Sequence, residues 1–137
     1  HHPKLLILDE ATSGLDPMAR EEILDLLLDF IQDEDHSILI SSHIITDLEK
    51  IADYVTFIHD GKIVFSDNKD NLIYNYGIVR CSASLDSLHV MGVRKHRFGC
   101  EVLINNKTKF MKHNPSLLVD TASIEEIITF MGREFSI

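Results

Sequence analysis

Lys4 is followed by four consecutive apolar residues, Leu5-Leu6-Ile7-Leu8, and then by two carboxylates, Asp9 and Glu10. This is the pattern of a strand buried on both faces that ends in a polar crevice. Ser13-Gly14 then reads as a turn, Asp16 as an N-cap and Pro17 as a first helical residue, with Glu21 and Glu22 favouring the helix start. Ile23, Leu26, Leu27, Phe30 and Ile31 recur at helical spacing while Asp25, Asp29 and Asp33 fill the opposite face, which predicts an amphipathic helix over 17–32. Ser37-Ile38-Leu39-Ile40 reads as a second buried strand ending in Ser41-Ser42-His43. A strand-helix-strand unit makes a parallel, right-handed crossover, so both strands end at the same sheet edge. Asp9, Glu10 and His43 should therefore gather where open α/β sheets bind ligands.

A second helix is expected to bury Ile44, Leu48, Ile51 and Ala52. It is followed by a strand at Tyr54-Val55-Thr56-Phe57-Ile58, an Asp60-Gly61 hairpin turn and a strand at Ile63-Val64-Phe65. Asp67 is expected to cap a short helix carrying Leu72, Ile73 and Tyr76 and closed by Gly77. Further on, residues 78–81 and 100–104 read as strands, 84–88 as a helical turn, and Ser123-x-x-Glu126 as a capping box opening a helix with Ile124, Ile127, Ile128 and Met131 on one face.

Charge divides the chain more sharply than periodicity does. Residues 1–77 hold 5 Lys and Arg against 16 Asp and Glu, whereas residues 78–137 hold 8 against 6. The break falls at Tyr76-Gly77, so the expected division is an α/β unit over 1–77 and a small α+β accessory unit over 78–137. With 137 residues, 45% of them apolar, and a net charge of -9, the chain can bury a core and is not wholesale disordered. Its longest apolar runs fall far short of the ~18 residues that cross a bilayer. The start at His1-His2-Pro3 resembles no signal peptide, and the two histidines are either tag or native sequence. Cys81 and Cys100, 19 positions apart and outside any C-x-x-C, make no structural zinc site and need not form a disulfide; a reducing compartment is the default.

The block from Leu5 to Pro17, which reads LLILDEATSGLDP, followed by Ser41-Ser42-His43 and by Gly61-Lys62-Ile63-Val64, resembles the C-terminal half of the nucleotide-binding subunit of ABC transporters. In that family the strand ending Asp-Glu is the Walker B motif, Ser-Gly-Leu-Asp is the D-loop and the lone histidine is the H-loop. The resemblance implies the C-terminal part of a P-loop NTPase-type parallel sheet with flanking helices. It implies that Asp9 orders a magnesium ion through its water shell and that Glu10 orients and polarises the attacking water. It implies that His43 contacts the γ-phosphate of ATP, and that Ser13, Gly14 and Asp16 face a second ATPase subunit in an ATP-sandwich dimer. It also implies a transmembrane permease as partner, a cytoplasmic site on the inner face of the membrane, and coupling of ATP hydrolysis to transport, with export favoured. Phosphoryl transfer does require a hard cation, a group that aims water in line and a donor at the γ-phosphate.

The chain departs from the family pattern in two places. The phosphate loop G-x-x-x-x-G-K-[ST] is absent, since Gly61-Lys62 has Thr56 at the first glycine position and Ile63 at the hydroxyl position. The L-S-G-G-Q signature is absent too. Both lie before the Asp-Glu strand in the family, so the sequence reads as a fragment that is inactive alone. Asp47-Leu48-Glu49 stands where two glutamates are commoner, and Ala52-Asp53-Tyr54-Val55 where Cys-Asp-Arg-Val is common. Asp9-Glu10-Ala11-Thr12 also resembles the D-E-A-D box of RNA helicases, but the acidic first half and the missing S-A-T block speak against a nucleic-acid partner. A receiver domain would need a lysine where this chain has His43, and a soluble, non-transport ABC ATPase stays open as the alternative. The basic cluster Arg94-Lys95-His96-Arg97, with Lys107, Lys109 and Lys112, reads as a solvated face.

Overall fold

The computed structural model describes residues 2–81 and 89–134, so the expected turn at 84–88 lies outside the described residues. The chain is mixed α/β and divides into two compact units, His1–Ala52 and Asp53–Ile137.

In the first unit, β1 (Leu5–Asp9) and β2 (Ser37–Ser41) pair in parallel, Leu5 opposite Ser37 and Asp9 opposite Ser41. The crossover is α1 (Pro17–Phe30), and α2 (Ile45–Ile51) follows β2. Asp16 caps α1 as expected, its Oδ1 accepting from the backbone N–H of Met18 and of Ala19 at 3.0 Å each. The helix stops two residues short of the expected end, at a cap on Ile31. Leu24, Leu27 and Ile51 form a core onto which Leu6, Leu8, Ile23, Leu28, Ile38 and Ile40 pack. Two expectations change here. The buried stripe of α1 includes Leu24 and Leu28, whereas Leu26 points outward at 63% exposure, because positions 23, 24, 27 and 28 share one face of the helix. The two strands are also covered on one face only: Leu6, Leu8, Ile38 and Ile40 turn inward, while Leu5, Ile7 and Leu39 are exposed. Strand alternation sends successive side chains to opposite faces.

The second unit opens with the antiparallel hairpin β3 (Tyr54–His59) and β4 (Lys62–Asn68), closed by Asp60 and Gly61 at φ of 48° and 72°. Two consecutive positive φ values match the right-handed twist of the strands, which is why Asp-Gly is effective there. Next comes α3 (Lys69–Asn75), capped by Asn68, whose side chain accepts from Asp70 N–H at 2.8 Å. The cap therefore falls one residue after the expected Asp67, whose Oδ1 instead accepts from the Asn68 N–H at 2.7 Å. Burial pushes the Tyr76 phenol above its ordinary range, and the nearby Asp67 charge adds to the shift.

A four-stranded antiparallel sheet, in the order β6-β7-β5-β8, follows from β5 (Gly77–Cys81), β6 (Val90–His96), β7 (Gly99–Ile104) and β8 (Val119–Thr121). Gly77, expected to close α3, opens β5 instead; a Cβ there would meet Val119 Cγ1 at 2.5 Å, so close strand approach selects glycine. Within the second unit α3 lies against α4 (Lys107–His113) and α5 (Ile124–Glu134). Val79, Cys100, Val102, Ile104 and Phe110 form a buried cluster of this unit. The expected capping box opens α5, with Ser123 N–H donating to Glu126 Oε2 at 2.9 Å and Glu126 N–H donating to Ser123 Oγ at 3.1 Å. Ile124, Ile127 and Met131 are buried, joined by Phe130. Among the described residues no helix is long and apolar enough to cross a membrane.

Candidate functional site

At the carboxyl ends of β1 and β2 the chain assembles Asp9, Glu10, Ser41 and His43. Asp9 is the last residue of β1 and accepts a hydrogen bond from Ser41 Oγ, its register partner across the parallel pair. Glu10 keeps a backbone bond to β2, donating to Ser41 O at 2.9 Å, but leaves the strand at a φ of 51°. A non-glycine residue in the left-handed region costs on the order of 1 kcal/mol. Side chains on successive strand residues normally point to opposite faces. The turn at Glu10 breaks that alternation and lets its carboxylate reach His43.

That contact has two parts. Glu10 Oε1 accepts from the His43 backbone N–H at 3.0 Å, and Oε2 lies 2.7 Å from His43 Nδ1. Because a carboxylate only accepts, the hydrogen sits on Nδ1, and Nε2 is the ring atom left for another partner. A neutral ring then presents an acceptor at Nε2, and an imidazolium a donor. Glu10 and His43 are both solvent-accessible at the edge, where incoming ligands can reach them.

Beyond β1 the loop runs through Ser13 and Gly14, at a φ of 74°, to the cap Asp16; all three side-chain positions are exposed. Ser13 N–H donates to Glu10 O at 3.0 Å, tying the loop back to the strand end. Under the loop lies a network that sequence reasoning missed. Thr12, fully buried, donates from Oγ1 to Asp47 Oδ2 at 2.8 Å, and Asp47 on α2 is only 3% exposed. Arg20 Nε lies 3.9 Å from the same oxygen, and it is buried without a hydrogen-bond partner among the described residues. One acid thus links the loop, α1 and α2. A signal existed: Asp47 stands four residues before the buried Ile51, on the core face of its helix.

Among the described residues no group of three or more His, Cys, Asp and Glu is arranged to hold a metal ion. Magnesium asks less of a protein, since it commonly takes one or two carboxylates and completes its shell with water and phosphate oxygens. Asp9 fits that demand, whereas both carboxylate oxygens of Glu10 are engaged by His43. No stretch of the 137 residues has the form of a phosphate loop.

No protein-family model matches the chain. The lantibiotic transport ATP-binding protein of Streptococcus pyogenes is 45% identical over 73 residues, which cover 51% of this chain and 31% of that protein. The bacitracin transport ATP-binding protein of Bacillus licheniformis is 44% identical over 64 residues, 47% of this chain and 21% of that protein. An ABC transporter ATP-binding protein of Bacillus subtilis (strain 168) is 35% identical over 74 residues, 54% of this chain and 25% of that protein. The chain spans less than a third of the length of these relatives. Over the half of its own length that they share, the chain is similar to the ATP-binding proteins of ABC transporters.

Proposed function

We propose that this chain carries the hydrolytic edge of an ABC transporter ATPase and acts with a phosphate loop supplied by another stretch of polypeptide. The observation that carries the reading is the Glu10–His43 pair at the carboxyl ends of two parallel strands. Glu10 orients and polarises the attacking water. His43, steered through Nδ1, presents Nε2 to the γ-phosphate, and an imidazolium is the form that donates there. Asp9, held by Ser41, would hold magnesium through its water shell, and the ion would supply the positive charge that phosphoryl transfer needs at the phosphate oxygens.

Ser13, Gly14 and Asp16, exposed in the loop before α1, face a second ATPase subunit across an ATP sandwich. A permease in the membrane receives the work of hydrolysis, which places the protein on the cytoplasmic side of the membrane and makes it a subunit of a transporter. Relatives named for lantibiotic and bacitracin transport support a transport role, and export is the direction proposed here. Within this reading residues 1–77 serve nucleotide chemistry and residues 78–137 are an accessory, regulatory segment, as the charge break at Gly77 suggests. Steady-state ATP turnover of the protein that unites this chain with its phosphate loop tests the proposal. Turnover that is stimulated by its permease supports it, and absence of any ATP hydrolysis overturns it.

A further inference from the structure

Cys81 ends β5 and Cys100 stands directly opposite it on β7, in register within an antiparallel pair. Their sulfurs lie 2.8 Å apart, and Cys100 Sγ also donates to the Cys81 carbonyl at 3.3 Å. Residues directly opposite in an antiparallel pair have Cα atoms ~4.5 or ~5.5 Å apart, depending on the pair type. Both separations fall within the ~4.4–6.8 Å that a disulfide accepts. A bond of ~2.05 Å then asks the sulfurs to close by under ~1 Å, a distance side-chain rotation covers without moving a strand.

From this geometry we infer that Cys81 and Cys100 form a thiol-disulfide site, at which a small disulfide such as oxidised glutathione closes a reversible cross-strand staple between β5 and β7. Cys81, partly exposed, reacts first, whereas Cys100 is buried in the cluster of Val79, Val102, Ile104 and Phe110. The Cys81 thiol gives up its proton, and its sulfur attacks one sulfur of the small disulfide, breaking that bond and releasing one small thiol. The Cys100 thiol then gives up its proton, and its sulfur attacks the Cys81 sulfur of the mixed disulfide and releases the second small thiol. Two electrons pass from the cysteine pair to the oxidant, and the two protons end on the released thiols. β5 and β7 are the two inner strands of the sheet, so the bond joins them at the end of β5. The site is independent of the nucleotide chemistry, and its test does not involve ATP.

The 137-residue chain is incubated with oxidised glutathione, then measured by intact mass, by alkylation of remaining thiols and by peptide mapping. The expected product has lost the mass of two hydrogens, offers no thiol to alkylation, contains a Cys81–Cys100 linked peptide, and returns to the starting mass with dithiothreitol. Its thermal midpoint lies several degrees above that of the reduced chain, because the closed loop restricts the unfolded ensemble. The Cys81→Ser variant, checked for fold by circular dichroism, shows no oxidant-dependent rise in midpoint. Glutathione adducts that never resolve, disulfide-linked dimers, or two thiols that stay alkylatable would overturn the inference. An oxidised midpoint equal to or below the reduced one overturns the staple as a stabilising device.

Discussion

Thr12 and Asp47, 35 positions apart, share a buried hydrogen bond of 2.8 Å that ties the loop after β1 to the helix after β2. A buried carboxyl deprived of its donor keeps the full desolvation penalty, whereas loss of both partners together is far milder. Thr12→Val, which removes the hydroxyl at constant shape, should lower stability by about 1–3 kcal/mol. In a double-mutant cycle with Asp47→Ala, followed by urea denaturation, the two changes should be non-additive by at least ~0.5 kcal/mol. Strict additivity would show that the contact does not couple the loop to α2.

Glu10→Gln preserves the shape of the side chain and one acceptor oxygen for His43, and removes the charge that, in the proposed function, polarises water. In the assembled ATPase, turnover should fall by orders of magnitude while ATP still binds and nucleotide-bound dimers accumulate. His43→Ala should also reduce turnover, and it frees the carboxylate from the 2.7 Å contact. Unchanged turnover in Glu10→Gln would end the assignment of Glu10 as the water-orienting group.

In the second unit Glu101 gathers one histidine and two arginines. His96 Nε2 lies 3.2 Å from Oε2, Arg80 Nε 3.2 Å from Oε1, and Arg94 Nη1 3.4 Å from Oε2. The hydrogen bond from His96, aided by the one from Arg80, holds the Glu101 carboxyl below its ordinary value of 4.5 against the opposing effect of burial. A carboxyl that binds its proton less tightly when folded stabilises the fold above its unfolded value, and that contribution disappears as pH falls through the folded one. Wild type should therefore be more stable than Glu101→Gln at about pH 6, and the gap should shrink toward about pH 3. Equal sensitivity of the two proteins to acid, measured by thermal melts across that range, would count against the ion cluster.

Local signals were the readable part of this fold. The Asp16 cap, the Asp60-Gly61 turn and the Ser123–Glu126 box each depend on residues within four positions of one another, so the sequence carries them directly. β6 escaped because Met91 is an extra residue between the pairs Val90–Ile104 and Gly92–Leu103, which breaks the period-two pattern, and because its end is the basic run Arg94-Lys95-His96. α4 buries only Phe110 over seven residues and β8 has only three residues, too short for periodicity to show. Asp9, Glu10 and His43 could be placed at one edge from the strand-helix-strand order. Ser41 as the partner of Asp9, Asp47 beneath the loop and the facing cysteines could not, since each depends on register or packing across 19 to 35 positions.

The 137-residue chain should hold MgATP no more tightly than the millimolar range. Most of the affinity for a triphosphate comes from a cradle of backbone N–H groups and a phosphate-binding lysine, and no stretch of this sequence has that form. What the edge does present is negative: Asp9 and Glu10 at the strand end, with the exposed Asp16 six residues further on. Two like charges ~4 Å apart at an effective dielectric of ~20 repel by roughly 4 kcal/mol, and magnesium offsets that only where it bridges carboxylate and phosphate. His43 is the counterweight, and its Nδ1 is already committed to Glu10. Calorimetry of the purified chain with MgATP should give no heat of specific binding at micromolar concentrations, and Asp9→Asn should leave that result unchanged. A micromolar dissociation constant would mean that the chain grips nucleotide through groups other than a phosphate loop, and would remove the need for a loop supplied from elsewhere.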